Sequence, residues 1–387
     1  MVKHIRTGLD IGTNSVRVVV CELQSGTSTP KVLALVKKPS QGLKRGCIIN
    51  LDEAATVTIS AIKEAERLAK TKIKTVALGV SGVTLESKTA NGIVSIPQTS
   101  TEITEHDLDK AITAGEENLS DKDNRTIIHR TPLLYKLDGK KVLGQPLGLK
   151  GGKLEAKTLF VTASNQHFKD AINATELSGV YVNEVTPSPI AASLAVTTKL
   201  QRNSGCILVN IGSHTTQTAV FEDGIPMSVQ IFPVGSSDIT NDIALGFKVS
   251  PEEAEKIKLG HTEPPESKKK LEEIIQARLS DIFDPIESQL KSVNRNGLLP
   301  AGVILTGGGS EIKGLDSQIK EHFNLPVKTT GEEISANTRH QIKNTTWSTA
   351  YGLCLLETDQ EKSNTISVKL SKTAGEQIKK WLKNLWP

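Results

Sequence analysis

The chain has 387 residues, 37% of them hydrophobic and 23% charged, with a formal net charge of +4. That length supports two or three domains with cores that need neither disulfide nor metal, and the balance excludes collagen, coiled-coil rods and wholesale disorder. Residues 368–387 carry five lysines and one acid, while the rest holds 42 basic and 42 acidic residues, so the neutral body excludes a general nucleic-acid footprint.

From the N-terminus, Met1 to Arg6 lacks an apolar signal core, and no stretch approaches the roughly 20 apolar residues of a membrane span, so any membrane contact is expected to be peripheral. Ile5 to Val20 predicts two strands joined by a tight turn at Gly8-Leu9-Asp10-Ile11-Gly12-Thr13-Asn14-Ser15. The pattern returns 200 positions later, with Ile207 to Ile211, then Gly212-Ser213-His214-Thr215-Thr216, then Thr218 to Phe221. Asp10 aligns with Asn210, Gly12 with Gly212, Ser15 with Thr215 and Val20 with Val220, which implies two similar lobes. Glycine and hydroxyl residues at such a turn let backbone N–H groups converge on a phosphate, although for each hairpin alone an ordinary glycine turn is the simpler reading. Pro251-Glu252-Glu253-Ala254-Glu255-Lys256-Ile257 starts a helix, with proline and acids in its first turn. Gly302 to Thr306 predicts a buried strand entering Gly307-Gly308-Gly309-Ser310, and Glu311 to Phe323 reads as a helix whose start favours anions. Cys21, Cys47, Cys206 and Cys354 are too scattered for a zinc or redox motif and sit among apolar neighbours, so they are expected to be buried free thiols in a reducing cytosol. The eight histidines show no metal-ligand spacing.

Tyr351 to Leu356 ends the body, and the polar residues 357–372 read as a flexible linker with a reach of roughly 20–25 Å, or about 55 Å fully stretched. In residues 373–387, Ile378, Trp381, Leu382, Leu385 and Trp386 fall on one helical stripe, with Lys379, Lys380 and Lys383 on the other side. Two of the three tryptophans lie in the last seven residues. Trp and Leu opposite Lys is the composition of a helix lying in a membrane interface, a reading that competes with docking on the body or a partner.

Taken in this order and at these separations, the motifs resemble the actin/Hsp70/sugar-kinase superfamily and, within it, the FtsA family of bacterial cell-division proteins. The first phosphate loop looks like Asp10 to Ser15, the second like Asn210 to Gln217, and the adenosine motif like Thr306-Gly307-Gly308-Gly309. Denser likeness lies in Phe221-Glu222-Asp223-Gly224, Pro233-Val234-Gly235, Ile239 to Gly246, Glu102 to Leu108 and Pro146 to Leu149. It covers essentially residues 5–356 and resumes at the extreme C-terminus.

The resemblance implies an α/β, actin-like (ribonuclease H-like) two-lobed ATPase fold with a small subdomain and a C-terminal amphipathic helix. The first lobe would span residues 1–82 and 162–200 around the small subdomain 83–161. The second would comprise 201–224, a subdomain at 225–299, and 300–356 with the closing helices. ATP would be held by Asp10, Gly12, Thr13, Asn14, Gly212, Ser213, His214, Thr215, Gly307, Gly308 and Gly309. Asp10 would contact Mg²⁺, and Glu252 and Lys256 would lie near ribose and base unless they form a plain solvated face. The resemblance further implies an adaptor at the cytoplasmic face of the membrane. It would bind FtsZ through the 225–299 subdomain, anionic lipids through the tail, its own copies through 83–161, and other division proteins. An ATP-hydrolysing enzyme of the same fold and a PilM-like pilus-assembly scaffold are the competing readings, and the tail speaks against both.

The second loop departs from the family pattern Asp-Ile-Gly-Gly-Gly-Thr-Thr-Asp. Its acids are Asn210 and Gln217 here, two glycines are Ser213 and His214, and Ser188 stands where the lobe-linking segment normally has Gln or Glu. Hydrolysis needs a carboxylate or carboxamide to hold hydrated Mg²⁺ and orient the attacking water. His214 could donate to a phosphate, but a surface histidine is the simpler reading. The expectation is weak or absent nucleotide binding, slow or undetectable hydrolysis, and no catalytic residue.

Overall fold

The computed structural model describes residues 4–23, 29–97, 102–120, 123–331, 342, 344–360 and 366–369. The first half runs β1 (His4–Ile11), β2 (Ser15–Leu23), β3 (Lys31–Pro39), a short hairpin of β4 (Leu43–Lys44) and β5 (Cys47–Ile48), α1 (Leu51–Ala69) and β6 (Thr75–Val80). A small unit follows, with β7 (Glu86–Ser95), α2 (Glu105–Glu117), β8 (Arg125–Leu137), β9 (Lys140–Val142) and β10 (Lys153–Ser164). The chain then returns through α3 (Asn165–Glu176), β11 (Tyr181–Pro187), α4 (Ser188–Val196) and α5 (Lys199–Ser204). The second half comprises β12 (Cys206–Ile211), β13 (Thr216–Glu222), β14 (Ile225–Phe232), α6 (Ser236–Phe247), α7 (Pro251–Lys258), α8 (Lys268–Ser292), β15 (Val303–Thr306), α9 (Leu315–Phe323) and β16 (Val327–Thr329). Last come α10 (Ser348–Gln360) and β17 (Ile366–Lys369).

Each half is one copy of the same sheet. β1, β2 and β3 form an antiparallel meander, and β1 is flanked on its other edge by parallel β6 and then β11. β12, β13 and β14 repeat the meander, with parallel β15 and β16 beyond β12. Strands covered on both faces read as unbroken apolar runs. Val16, Val18, Val19 and Val20 of β2 and Ile207 to Val209 of β12 are accordingly buried. In the first half α1 packs over β2 and β3, and α10 over β1 and β2. Asn50 caps α1 by accepting the Glu53 N–H at 3.3 Å. Ile239, Ile282 and Leu315 of α6, α8 and α9 share the second core with Val209 and Leu305.

α4 crosses between the halves, touching β6 and β11 on one side and β12, β13 and β14 on the other. α10 lies on α4 and β1 with no room for side chains at the crossing. A Cβ on Gly352 would overlap the Ala191 carbonyl, and one on Gly8 would overlap the Ala350 carbonyl.

The small unit joins the two sheets into one. β10 pairs with both β7 and β8, β7 meets β14 at Glu86 and Gln230, and the Ser87 hydroxyl accepts the Val229 N–H at 2.8 Å. The other junction corrects the reading of residues 357–372 as a linker. α10 continues to Gln360, and β17 inserts between β11 and β8. Glu184 pairs with Lys369 and Val185 with Val368 on one side, and Arg130 with Ile366 and His129 with Ser367 on the other. β-branched Ile366 and Val368 alternate with polar residues, a strand pattern hidden by the surrounding composition, and β8 and β11 would otherwise present open edges to each other. The tail residues Ile378, Lys379, Lys380, Trp381, Leu382, Lys383, Leu385 and Trp386 lie outside the described residues. A second correction concerns the cysteines: Cys21, Cys206 and Cys354 are buried, but Cys47 is partly exposed because it opens a surface hairpin.

His129 on β8 is 3% exposed, and neither ring nitrogen has a protein partner, so burial pulls its pKa down to about 4. It must be neutral to fold, so stability is lost as pH falls from about 6.5 toward 4. Acidification from pH 7 to pH 5 is expected to cost about 2 kcal/mol through this group. His129→Leu should flatten that slope, and equal slopes in urea unfolding of the two proteins would refute the assignment. At the crossing, Gly352→Ala is expected to lower stability by about 3 kcal/mol, read as the urea midpoint; an unchanged midpoint would show that α10 can move away from α4.

Candidate functional site

The two glycine turns close in the same way. In the first, the Gly12 N–H donates to the Ser15 carbonyl at 3.2 Å; in the second, the Gly212 N–H donates to the Thr215 carbonyl at 2.9 Å. Strand register then sets the side chains beside them. Arg17, Asp10, Gly79 and Thr186 stand in a row across β2, β1, β6 and β11. Gln217, Asn210 and Thr306 form the matching row across β13, β12 and β15.

The first loop is braced from outside. The Ser40 hydroxyl donates to the Gly12 carbonyl at 2.6 Å, and the Thr13 hydroxyl accepts the Gly46 N–H at 2.7 Å. Asn14 is exposed at the tip. Ser213 and His214 of the second loop are half-buried, and Thr215 is buried. The start of α6 holds this loop, with Ser236 N–H donating to the Gly212 carbonyl at 2.9 Å and Ser237 N–H to the Ser213 carbonyl at 2.8 Å. Gly307, at φ +90°, lies against Asn210 and the Ile211 carbonyl, and Gly309 against the Ile211 side chain, while Gly308 is exposed. The second and third loops are thus brought into direct contact. Thr345 reinforces the third by donating from its hydroxyl to the Gly307 carbonyl at 3.0 Å.

Glu252 and Lys256 are exposed on α7, and the buried charge of that helix is Lys258, paired with the half-exposed Glu255. Lys258 donates to the Ser236 carbonyl at 3.1 Å and the Thr240 hydroxyl at 2.8 Å, tying α7 to the helix that holds the second loop.

Asp10 is 8% exposed and Arg17 9%, with 3.8 Å between Oδ2 and Nη1. Burial pushes the Asp10 carboxyl above its usual range while Arg17 pulls it back, and burial pushes the Arg17 guanidinium down. Several buried polar atoms in these rows and beside them have no protein partner: Ser15 Oγ, Arg17 Nε, Thr186 Oγ1, Ser188 Oγ and Gln217 Oε1. Buried polar groups are normally satisfied, and phosphate oxygens would accept from the hydroxyls and from Arg17 Nε. The residues therefore fit the phosphates of a nucleotide. Asp10 is the one carboxylate of these rows and faces Arg17, its counterpart is the amide Asn210, and among the described residues no group of three or more His, Cys, Asp or Glu could hold a metal ion by protein ligands alone. Ser188 adds only a short hydroxyl, 3.0 Å from where a Cβ on Gly79 would lie.

Arg17 is the residue that motif reading overlooked. Its signal is a charge within a run of valines, directly opposite Asp10 once the turn length is known.

A family model described as cell division protein FtsA matches residues 207–352, and one described as the SHS2 domain inserted in FtsA matches residues 82–162. The chain is 27% identical to cell division protein FtsA of Borreliella burgdorferi over 415 aligned positions that cover all of both proteins. It is 28% identical to cell division protein FtsA of Bacillus subtilis, over 81% of this chain and 76% of that one. Among solved structures, the PilM-PilN type IV pilus biogenesis complex superposes with a TM-score of 0.68 at 17% identity, over 92% of this chain and 98% of that chain. At that identity the likeness speaks for the actin-like fold alone. With two FtsA models matched on separate stretches and a relative aligned along its whole length, this chain belongs to the FtsA family of cell-division proteins.

Proposed function

We propose that this protein is a membrane adaptor of the division apparatus, carrying FtsZ filaments to the cytoplasmic face of the membrane as a peripheral protein. The observation that carries this reading is the tail sequence joined to an FtsA body. Ile378, Trp381, Leu382, Leu385 and Trp386 make one apolar stripe, opposite Lys379, Lys380 and Lys383. Each lysine near an anionic surface contributes on the order of 1 kcal/mol, and the apolar side chains add several more. Ordering so short a helix offsets part of that gain, so a single copy binds reversibly and an oligomer binds far more firmly. Among the described residues no helix is long and apolar enough to cross a membrane.

In this reading residues 225–299 receive the FtsZ peptide, residues 83–161 mediate self-assembly, and other division proteins dock on the resulting polymer. ATP is bound weakly between the lobes through the three glycine loops, with Arg17 facing its phosphates. Hydrolysis is slow or absent, because Asn210 and Gln217 supply no second carboxylate and Ser188 is too short to orient the attacking water. The same donor set weighs against an ATP-hydrolysing enzyme.

Truncation after Leu370 leaves β17 in place and removes the tail stripe. In co-sedimentation with anionic liposomes, FtsZ is expected to pellet with the full-length protein and not with the truncated one. If neither form brings FtsZ down, the adaptor reading fails and a pilus-type scaffold role gains; if both do equally, the anchor lies elsewhere. Steady-state phosphate release with ATP and Mg²⁺ is expected to match a no-enzyme blank, and a rate well above it would refute the account of the altered loop.

A further inference from the structure

The peptide group that joins Arg45 to Gly46, at the tip of the β4–β5 hairpin, is hydrogen-bonded at both ends. Its N–H donates to the Thr13 hydroxyl of the first phosphate loop at 2.7 Å, and its carbonyl accepts the Val83 N–H at 3.2 Å. The N–H and C=O of a trans amide point in opposite directions, so the two partners lie on opposite sides of the turn. Val83 belongs to the stem of the small unit, where the chain passes from β6 to β7. One amide therefore stands between the nucleotide loop and the unit to which self-assembly is assigned.

The hairpin holds that amide in one orientation. Arg45 and Gly46 are both left-handed, at φ +48° and +76°, the signs a two-residue type I′ turn requires, and Lys44 pairs with Cys47 across it. Arginine rarely adopts such a φ, and here the bonds to Thr13 and Val83 hold it there. The turn lies backbone to backbone on the stem. A Cβ on Gly46 would come within 2.5 Å of the Gly82 Cα, and one on Gly82, itself at φ +100°, within 2.7 Å of the Gly46 carbonyl oxygen. With no side chain between them, a shift of the turn is a shift of the stem. The loop side is equally tight, since the Ser40 N–H donates to the Asn14 carbonyl at 3.2 Å and its hydroxyl to the Gly12 carbonyl. Beyond Val83, Arg125 of β8 donates to the Thr84 carbonyl, and Glu86 and Ser87 meet β14 of the second lobe.

We propose that the Arg45–Gly46 amide is a relay through which a phosphate in the first loop tightens the stem of the small unit. Thr13 accepts from Gly46, and its own hydroxyl proton has no acceptor among the described residues; a phosphate oxygen in the loop supplies one. A hydroxyl that donates to an anion becomes a better acceptor, so the Gly46 N–H bond strengthens. The amide thus polarised presents a more negative carbonyl to the Val83 N–H. When the phosphate leaves, the bonds weaken together and the stem loosens between the hairpin and β14. Nucleotide thereby regulates the unit by which copies of the protein meet. In naming a phosphate the proposal rests on ATP binding in the cleft; the bonds from Thr13 to Val83 exist without it.

The test is amide hydrogen exchange of the full-length protein, read by mass spectrometry on peptides covering residues 82–87, with equilibrium dialysis of ATP alongside. Without nucleotide, Thr13→Val is expected to speed exchange of the stem by at least about fivefold, and Thr13→Ser, which restores the oxygen, to return it to the wild-type rate. Peptides of α8, remote from the hairpin, are expected to exchange alike in all three proteins, which separates the relay from general loosening. With ATP, the wild-type stem is expected to slow by about threefold, and Gly82→Ala, which pushes the stem off the turn, to bind ATP without that slowing. A folded Thr13→Val protein whose stem exchanges at the wild-type rate would overturn the relay whether or not ATP binds. Bound ATP with an unchanged wild-type stem would overturn the link to nucleotide. Dialysis showing no bound ATP would overturn the nucleotide reading instead, with the relay then decided by the Thr13 comparison alone.

Discussion

The backbones of α4, α10 and β1 come together where side chains have been reduced to hydrogen or methyl, and the two-lobed arrangement rests on that contact. Gly8, Gly352 and Ala191 let the chains approach until their carbonyls fill the space a larger residue would need. Ala77, Leu353 and Leu356 close the apolar seam around them. Because α4 touches strands of both sheets, its position sets the distance between the two glycine hairpins. A close-packed interior does not deform smoothly, so one added methyl here shifts a lobe rather than a side chain.

That seam brings together two hairpins of equal geometry and unequal charge. On one side a buried carboxylate faces a buried guanidinium across β1 and β2; on the other, two amides occupy the equivalent places. The turn hydrogen bonds are kept in both copies, so the backbone that would meet phosphates survives in both, while a carboxylate remains only at Asp10. A phosphate at this place would stabilise Arg17 more than an exposed lysine, because its guanidinium is buried and incompletely hydrogen-bonded.

The internal repeat was open to view in the amino-acid sequence because a glycine turn between two apolar runs carries both a period and a conformation, and the pair recurs at 200-residue spacing. The third loop was equally plain, since consecutive glycines after a buried strand leave few alternatives. Arg17 escaped because its partner is determined by hairpin register, which depends on where the turn closes. Glu252 and Lys256 were chosen by motif position, and the helical turn leaves both exposed while it buries Lys258, two positions beyond Lys256, against Glu255. β17 was obscured for a compositional reason: four residues of alternating pattern within a polar stretch carry too little periodicity to stand out, and what recruits them is a pair of distant strand edges. Cys47 was grouped with three core thiols because apolar neighbours in sequence say nothing of a hairpin that lies on the surface.

β17 also determines how the molecule bears a mechanical load. A pull on the chain beyond Lys369 does not pass straight to α10; it meets four residues gripped from both edges, by Glu184 and Val185 on one side and His129 and Arg130 on the other. Each grip is only two residue pairs long, so neither ladder is strong alone. Both must give way before tension reaches α10. The strand works as a cable clamp: it divides tension between the first lobe and the small unit, and yields at a force set by backbone hydrogen bonds rather than by the stability of the core.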